Sequence, residues 1–433
     1  MRKLIGIVLC LAAACGGDEG NKGPVTIALL TPKTGALASV GQSFEKVFGV
    51  AADNINAQGG VDGRMIATVV IDTETNADTA GAKLQAAIDM GAVAAVGPAT
   101  SGEVTNAYPI AAMKKVPIIS PSSTAPALSS GSLNPPDDGY MFRNVPDDSI
   151  QGIAMAYYLG TKRTPTVNNV AVLYENSPYG DGLRKAFVGV FTGAPTNGHV
   201  DVQTSFTQNI DDAGATTAIA DLATKLNAAT TKPTIIVMIA LEGDAIKLSK
   251  AWAASSDPVF TGTSFFFTDG ARSSGFLSGS PAQVHGMCGT APTFPVTGLA
   301  YTTLKTSFEA KYPGESLESQ VFAPNVWDAT NLIAAALTQQ SHDFAGETLG
   351  GEHLRDLITT VSKGGQTFRA DQWRTMISDV HNGTDVDYDG AAGPNDFDVN
   401  GQAIGPYEVW CINADGSAFS QELFLDAQDL QNL

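Results

Sequence analysis

VTIALLTPKTGALASVGQSFEKVFGVAADNINAQGGVDGRMIATVVI, residues 25–71, decides the fold class of this chain. Residues 25–30 form a short, almost wholly apolar run, which is how a strand buried on both faces reads. Residues 42–57 carry apolar side chains at helical spacing and stop at Gly59-Gly60, a helix C-terminus signal. A second strand is predicted over 65–71. The unit then repeats, with helical patterns over 78–89 and 102–114 and extended runs over 92–96 and 116–119. Strands alternating with helices of ten or more residues predict parallel crossovers and a sheet covered on both faces.

The alternation restarts further on. Helical patterns cover 147–159, 182–191 and 213–226, and strands are predicted over 170–174, 200–204 and 235–240. The expected class is therefore α/β, with two doubly wound parallel-sheet lobes. Beyond Met287, helical stretches at 301–311, 324–337 and 354–361 come with few strands. The pattern alone leaves open whether they form a third domain or return to cover the first lobe.

Composition narrows the function. The chain has 433 residues, and 25 Lys+Arg against 44 Asp+Glu give a net charge of −19, which repels phosphate backbones and argues against nucleic acid as a partner. Apolar residues make up 43%, enough for sizeable cores. Arg2-Lys3, the apolar run 4–14 and Ala12-Ala13-Ala14 before Cys15 read as a signal peptide over 1–14. The run falls short of the roughly 20 apolar residues that cross a bilayer. Leu11 and the three alanines before Cys15 resemble a bacterial lipobox, which implies a diacylated Cys15 followed by a glycine-rich tether over 15–23. Simple secretory cleavage is the alternative. With Cys10 in the signal and Cys15 on the anchor, Cys288 and Cys411 remain, and an oxidising compartment invites a disulfide between them; two free buried thiols are the other reading.

Six segments occur in order: Thr31-Pro32-Lys33-Thr34-Gly35, Ile55-Asn56-Ala57-Gln58-Gly59-Gly60-Val61, Val96-Gly97-Pro98-Ala99-Thr100-Ser101, Ile119-Ser120-Pro121-Ser122-Ser123-Thr124, Phe142-Arg143 and Glu175-Asn176-Ser177-Pro178-Tyr179-Gly180. Together they resemble the type I periplasmic solute-binding proteins of the branched-chain amino acid transporter family, and the likeness covers most of the chain. It implies a three-segment hinge, with crossings near Asn144, Ala291 and Asn400. The N-terminal lobe would then be 24–143 plus 292–398, late helices included, and the C-terminal lobe 145–290 plus 402–433. Cys288 and Cys411 would both lie on the second lobe.

A free amino acid offers a carboxylate, an ammonium and a side chain, so its cleft needs anion donors, an acid and a shaped pocket. Ser101 precedes a predicted helix, whose unpaired N–H groups favour a carboxylate; an ordinary N-cap serine is the bland reading. Ser122, Ser123 and Thr124 follow the strand 116–119 at its carboxyl end, where open α/β sheets bind ligands. The resemblance implies that Ser123 and Thr124 hold the ligand's α-substituents and that Tyr179 comes from the second lobe. For the ammonium, Asp269 is preferred and Glu242, after the strand ending at Ala240, is the other candidate. Relatives often carry an aromatic residue where this chain has Val40, which speaks against a leucine-like specificity.

Other signals carry less. Asp385-Val386-Asp387-Tyr388-Asp389-Gly390 fits half a calcium loop, but Pro394 disagrees with an exiting helix. The five histidines show no ligand spacing, and no G-x-S-x-G, G-x-G-x-x-G or Walker A motif occurs. No metal or cofactor is expected. The expectation is an exported, monomeric lipoprotein that captures an amino acid, small amide or carboxylate and hands it to the membrane permease of an ABC transporter. A sensory receptor of the same fold is the alternative, and a hydrolase a more distant one.

Overall fold

A computed structural model describes residues 23–129, 135 and 138–432. The expected signal peptide, Cys15 and all of the tether except Gly23 lie outside the described residues. In chain order the first lobe opens with β1 (Val25–Thr31), α1 (Ala38–Ala57), β2 (Ile66–Asp72), α2 (Ala77–Asp89), β3 (Ala92–Val96), α3 (Ser101–Lys114), β4 (Ile118–Ser120) and β5 (Met141–Arg143). The second lobe follows with α4 (Asp148–Tyr157), β6 (Asn169–Glu175), α5 (Pro178–Thr192), β7 (His199–Phe206), α6 (Asp212–Ala228), β8 (Ile235–Ile239), α7 (Glu242–Ala254), β9 (Ser264–Phe267), α8 (Ser274–Gly279) and β10 (Cys288–Pro292).

The first sheet is parallel throughout, in the order β2-β1-β3-β4-β5. The parallel part of the second runs β7-β6-β8-β9-β10. Counted from each lobe's own first strand, both read second, first, third, fourth, fifth. Both sheets therefore reverse direction between their first and third strands, and the carboxyl ends of those strands form the ligand crevice of such folds. Sequence decides which strands are central. Every residue of β8 is buried, whereas β7 alternates exposed and buried residues as an edge strand does.

The late helices return to the first lobe. Here α9 (Leu299–Lys311) and α10 (Ala323–Asp343) pack on α1, and α11 (Gly351–Thr360) packs on α10. Helix α10 is buried on nearly every side, enclosed by its neighbours, and its buried polar residues include Asp328 and Asn331. A small parallel pair, β11 (Gln366–Phe368) and β12 (Val386–Tyr388), flanks α12 (Trp373–His381). The segment with half a calcium-loop pattern thus becomes β12 and the turn after it. That turn is organised by buried Asp328, whose carboxylate accepts from Tyr388 Oη (2.9 Å), the Ala391 and Ala392 N–H groups (2.8 and 2.7 Å) and Asn395 Nδ2 (3.3 Å).

The chain crosses back to the second lobe as β13 (Tyr407–Ile412) and β14 (Phe419–Leu425), before α13 (Ala427–Gln431). Both strands pair antiparallel, β13 against β10 and β14 against β13, so the second sheet is mixed rather than purely parallel. Opposed in this register, Cys288 and Cys411 are joined in a disulfide that ties the hairpin to β10. The three crossing segments lie side by side: Arg143 N–H donates to Gly401 O (2.9 Å), Ala403 N–H to Arg143 O (3.1 Å) and Thr293 N–H to Pro406 O (3.0 Å).

Candidate functional site

The first wall of the cleft is built from strand ends and one helix start. Thr100, after β3, caps α3 in a reciprocal box: its Oγ1 accepts from Glu103 N–H (3.3 Å) and Glu103 Oε2 accepts from Thr100 N–H (3.0 Å). The cap is therefore Thr100, and Ser101 is the first helical residue. Ser101 Oγ instead accepts from Ala125 N–H (3.1 Å), which fastens the loop after β4 to α3. Within that loop Ser122 Oγ donates to Ala99 O (2.8 Å), while Ser123 Oγ and Thr124 Oγ1 are buried with no hydrogen-bond partner. Such hydroxyls cost free energy unless something accepts or donates to them.

Arg143 holds this loop in place. Its Nη1 donates to Ser123 O (3.2 Å) and Ala125 O (3.0 Å), its Nε to Gln402 Oε1, and its Nη2 to Ser129 Oγ and Asp147 Oδ2. The side chain is fully buried, so the same group knits the loop to the first and third crossings. Its donors are committed to the scaffold.

The second wall is acidic. Tyr179, in the first turn of α5, donates from Oη to Asp269 Oδ1 (2.8 Å) and shares a 2.8 Å hydrogen bond with Thr268 Oγ1. Gln151 Nε2, from α4, donates to the same Asp269 oxygen (2.9 Å) and to Thr290 Oγ1 (3.2 Å). Asp148, at the start of α4, is buried beside this group, its N–H donates to Thr124 O (2.9 Å), and its carboxyl oxygens make no hydrogen bond within 3.5 Å, the Thr124 hydroxyl being near the carboxyl group. Burial first, and then the facing Asp269 charge, push the Asp148 carboxyl well above the usual range; Asp269 is raised too, chiefly by burial. Two such acids cannot both ionise cheaply without a cation near them.

Between the walls lies a narrow cavity of about 30 Å³, lined among others by Val40, Ser101, Ser122, Glu175, Tyr179 and Asp269. That space holds about two water molecules, so anything larger enters only when the lobes part. Across the cleft the lobes touch directly: Asn209 Nδ2 donates to Thr75 O (2.9 Å), Ala36 N–H to Asn209 Oδ1 (2.9 Å) and Gly243 N–H to Ala36 O (2.7 Å).

A profile of the periplasmic binding protein family matches residues 24–417. The chain belongs to this family. An uncharacterized protein of Methanocaldococcus jannaschii is 35% identical over 169 residues, 38% of this chain and 39% of the relative. The chemotactic signal transduction system substrate-binding protein BasB of Halobacterium salinarum is 30% identical over 165 residues, covering 37% and 39%. The chain thus matches about two fifths of each relative's length. The substrate-binding protein LivJ of Streptococcus pneumoniae, solved with isoleucine, shares the fold at a TM-score of 0.71 and 22% identity, over 93% of this chain and 99% of that one.

In this periplasmic binding protein Ser101, Ser122, Tyr179 and Asp269 meet at the cavity. Ser123 and Thr124 are buried beside it and do not line it with the lobes in contact. Glu242 does not line it either. As the first residue of α7 its carboxylate accepts from Ser39 Oγ of the first lobe and Ser273 Oγ of the second, so it clips the lobes together. Val40 does line the cavity, and next to it Gly41 is required, because a Cβ there would lie 2.0 Å from Pro32 O. Sequence reasoning missed Asp148, Gln151, Glu175 and Gln208. Asp147-Asp148 looks like any acidic helix start; Gln151, one turn later on the same face, was the available signal that this start also serves the cleft.

Proposed function

We propose that the protein is an exported receptor, anchored through a lipid on Cys15, that closes its two lobes on a free α-amino acid and presents it to the permease of an ABC transporter. One observation carries the reading: neutral donors and the α3 N-terminus on one wall oppose the buried Asp148 and Asp269 on the other. A carboxylate suits the first wall and an ammonium the second, so a zwitterion bridges both and draws them together. Helix N-termini favour anions through their unpaired N–H groups. An ammonium between the two acids would also relieve their mutual repulsion. Closure is then a population shift, because the ligand touches both walls only when the lobes meet.

The test is a thermal-shift panel of L-amino acids and small amides on protein lacking residues 1–15. A ligand at a hundred times its dissociation constant stabilises by roughly 2.7 kcal/mol. An amino acid that shifts the midpoint supports the reading, and a panel without any shift contradicts it. A second reading, ligand sensing without transport, draws on the likeness to the chemotactic protein BasB. Disruption of the gene separates the two: lost uptake indicates delivery, and lost taxis with intact uptake indicates sensing.

A further inference from the structure

The cleft holds an acid that an amino acid's α-carboxylate and α-ammonium leave unused. Glu175 ends β6, is fully buried and lines the cavity together with Asp269 and Ser101. Its Oε1 accepts from Gln208 Nε2 (3.0 Å), and its Oε2 makes no hydrogen bond within 3.5 Å, although the Ser177 hydroxyl and the Leu241 N–H lie near the carboxyl group. Among the described residues no Lys, Arg or His lines this cavity, so no described side chain of the lining neutralises the acid. The apolar side chains of Leu37, Val40 and Leu241 share the lining. A buried carboxyl oxygen without a donor is costly, and a charged donor satisfies it best. Methylene groups of a long side chain would in turn be accepted by the apolar residues.

Resting on the amino-acid reading above, we propose that Glu175 receives the cationic tip of the ligand's side chain, so that this receptor selects basic amino acids of the lysine and ornithine kind over aliphatic ones. Two acids in one small cavity also disfavour dicarboxylic ligands, whose second charge would face a like charge. Burial pushes the Glu175 carboxyl up to about 8; the Asp244 charge adds to the rise, while Ser177, the Leu241 N–H and Gln208 oppose it. An arriving ammonium tip therefore displaces a proton from Glu175 to solvent at neutral pH.

Calorimetric titration of L-lysine and L-norleucine tests this, because norleucine keeps the chain length and lacks the terminal amine. For the unmodified protein lysine should bind at least about tenfold tighter than norleucine. The lysine enthalpy should change more steeply with the ionisation enthalpy of the buffer than that of norleucine, whose α-ammonium meets only Asp148 and Asp269. Glu175→Gln should weaken lysine roughly thirtyfold and leave norleucine within about threefold. Norleucine binding as tightly as lysine to the unmodified protein overturns the proposal, and so does a Glu175→Gln variant that weakens both alike, which marks Glu175 as a strut for Gln208. If that variant does not fold, the lysine and norleucine comparison on the unmodified protein decides alone. Binding of other α-amino acids but not lysine defeats this inference and leaves the amino-acid reading standing; binding of no α-amino acid defeats both.

Discussion

The first wall presents the cavity with hydroxyls and a helix start, Ser101 and Ser122 around α3 with Ser123 and Thr124 buried beside them; the second presents Glu175, Tyr179 and Asp269, with Asp148 of α4 buried beside them. Yet the strands behind the two walls run in the same order, and in both lobes the cleft residues sit just past strand ends. Topology therefore decides where a ligand can sit, and the few residues after each strand decide which charge it must carry there. The first wall is rigidified by Arg143 and stays neutral at the cavity. On the second wall Arg143 offsets only part of the Asp148 charge, and Glu175 and Asp269 have no Lys, Arg or His beside them among the described cavity-lining residues, so that wall is left electrostatically incomplete.

The contrast can be broken from either side. The largest effect is expected at the support of the first wall. Arg143→Ala strands Asp147 and several carbonyl groups and should cost about 3–5 kcal/mol of stability in urea unfolding. A loss below about 1 kcal/mol would mean that the loop holds itself. On the second wall Asp269→Asn keeps the shape and removes the charge. The affinity of the tightest-binding amino acid, measured by calorimetry, should fall by about 3 kcal/mol, roughly a hundredfold. Back on the first wall, Ser123→Ala or Thr124→Ala should each weaken binding about tenfold, because each removes one hydrogen bond to a charged group. Unchanged affinity in both would take that loop out of the site.

Acid burial on the second wall also predicts a pH dependence. Glu175 is raised from an ordinary value near 4.5 to about 8, so the stability tied to its neutral form is complete below 4.5 and is lost as pH rises through about 8. Between pH 5 and pH 8 the melting temperature of the unmodified protein should therefore fall relative to Glu175→Gln. A constant gap would mean that Glu175 titrates as an exposed acid. The smallest effect belongs to the clip between the lobes, where Ser39→Ala removes one of the two hydroxyls on Glu242 and should weaken binding only a few-fold.

Much of the fold was legible because its strands are short, apolar and buried, and its helices long and periodic. The reading of 92–96 matches β3 residue for residue, and 25–30 falls one residue short of β1. What escaped depends on distant partners. β13 and β14 are antiparallel because the returning chain meets β10 at an edge, and nothing local in Tyr407–Ile412 specifies that direction. The partners of Glu242 escaped for a related reason. As the residue after a strand it resembled a cleft acid, while its actual partners, Ser39 and Ser273, are 203 and 31 positions away in the chain. Ser101, Ser122, Tyr179 and Asp269 were within reach because strand ends and helix starts mark the crevice from sequence. Asp148 was not, since its burial beside Asp269 emerges only when α4, Thr124 and Asp269 come together.

The most direct test of opposed walls compares the tightest-binding L-amino acid with two truncated forms, one lacking the α-amino group and one lacking the carboxylate, by calorimetry on the same protein. Both truncations should weaken binding by at least roughly thirtyfold, since each leaves one wall unmet, and Asp269→Asn should erase most of the penalty for losing the amino group alone. A deaminated form that binds as well as its parent would contradict the account.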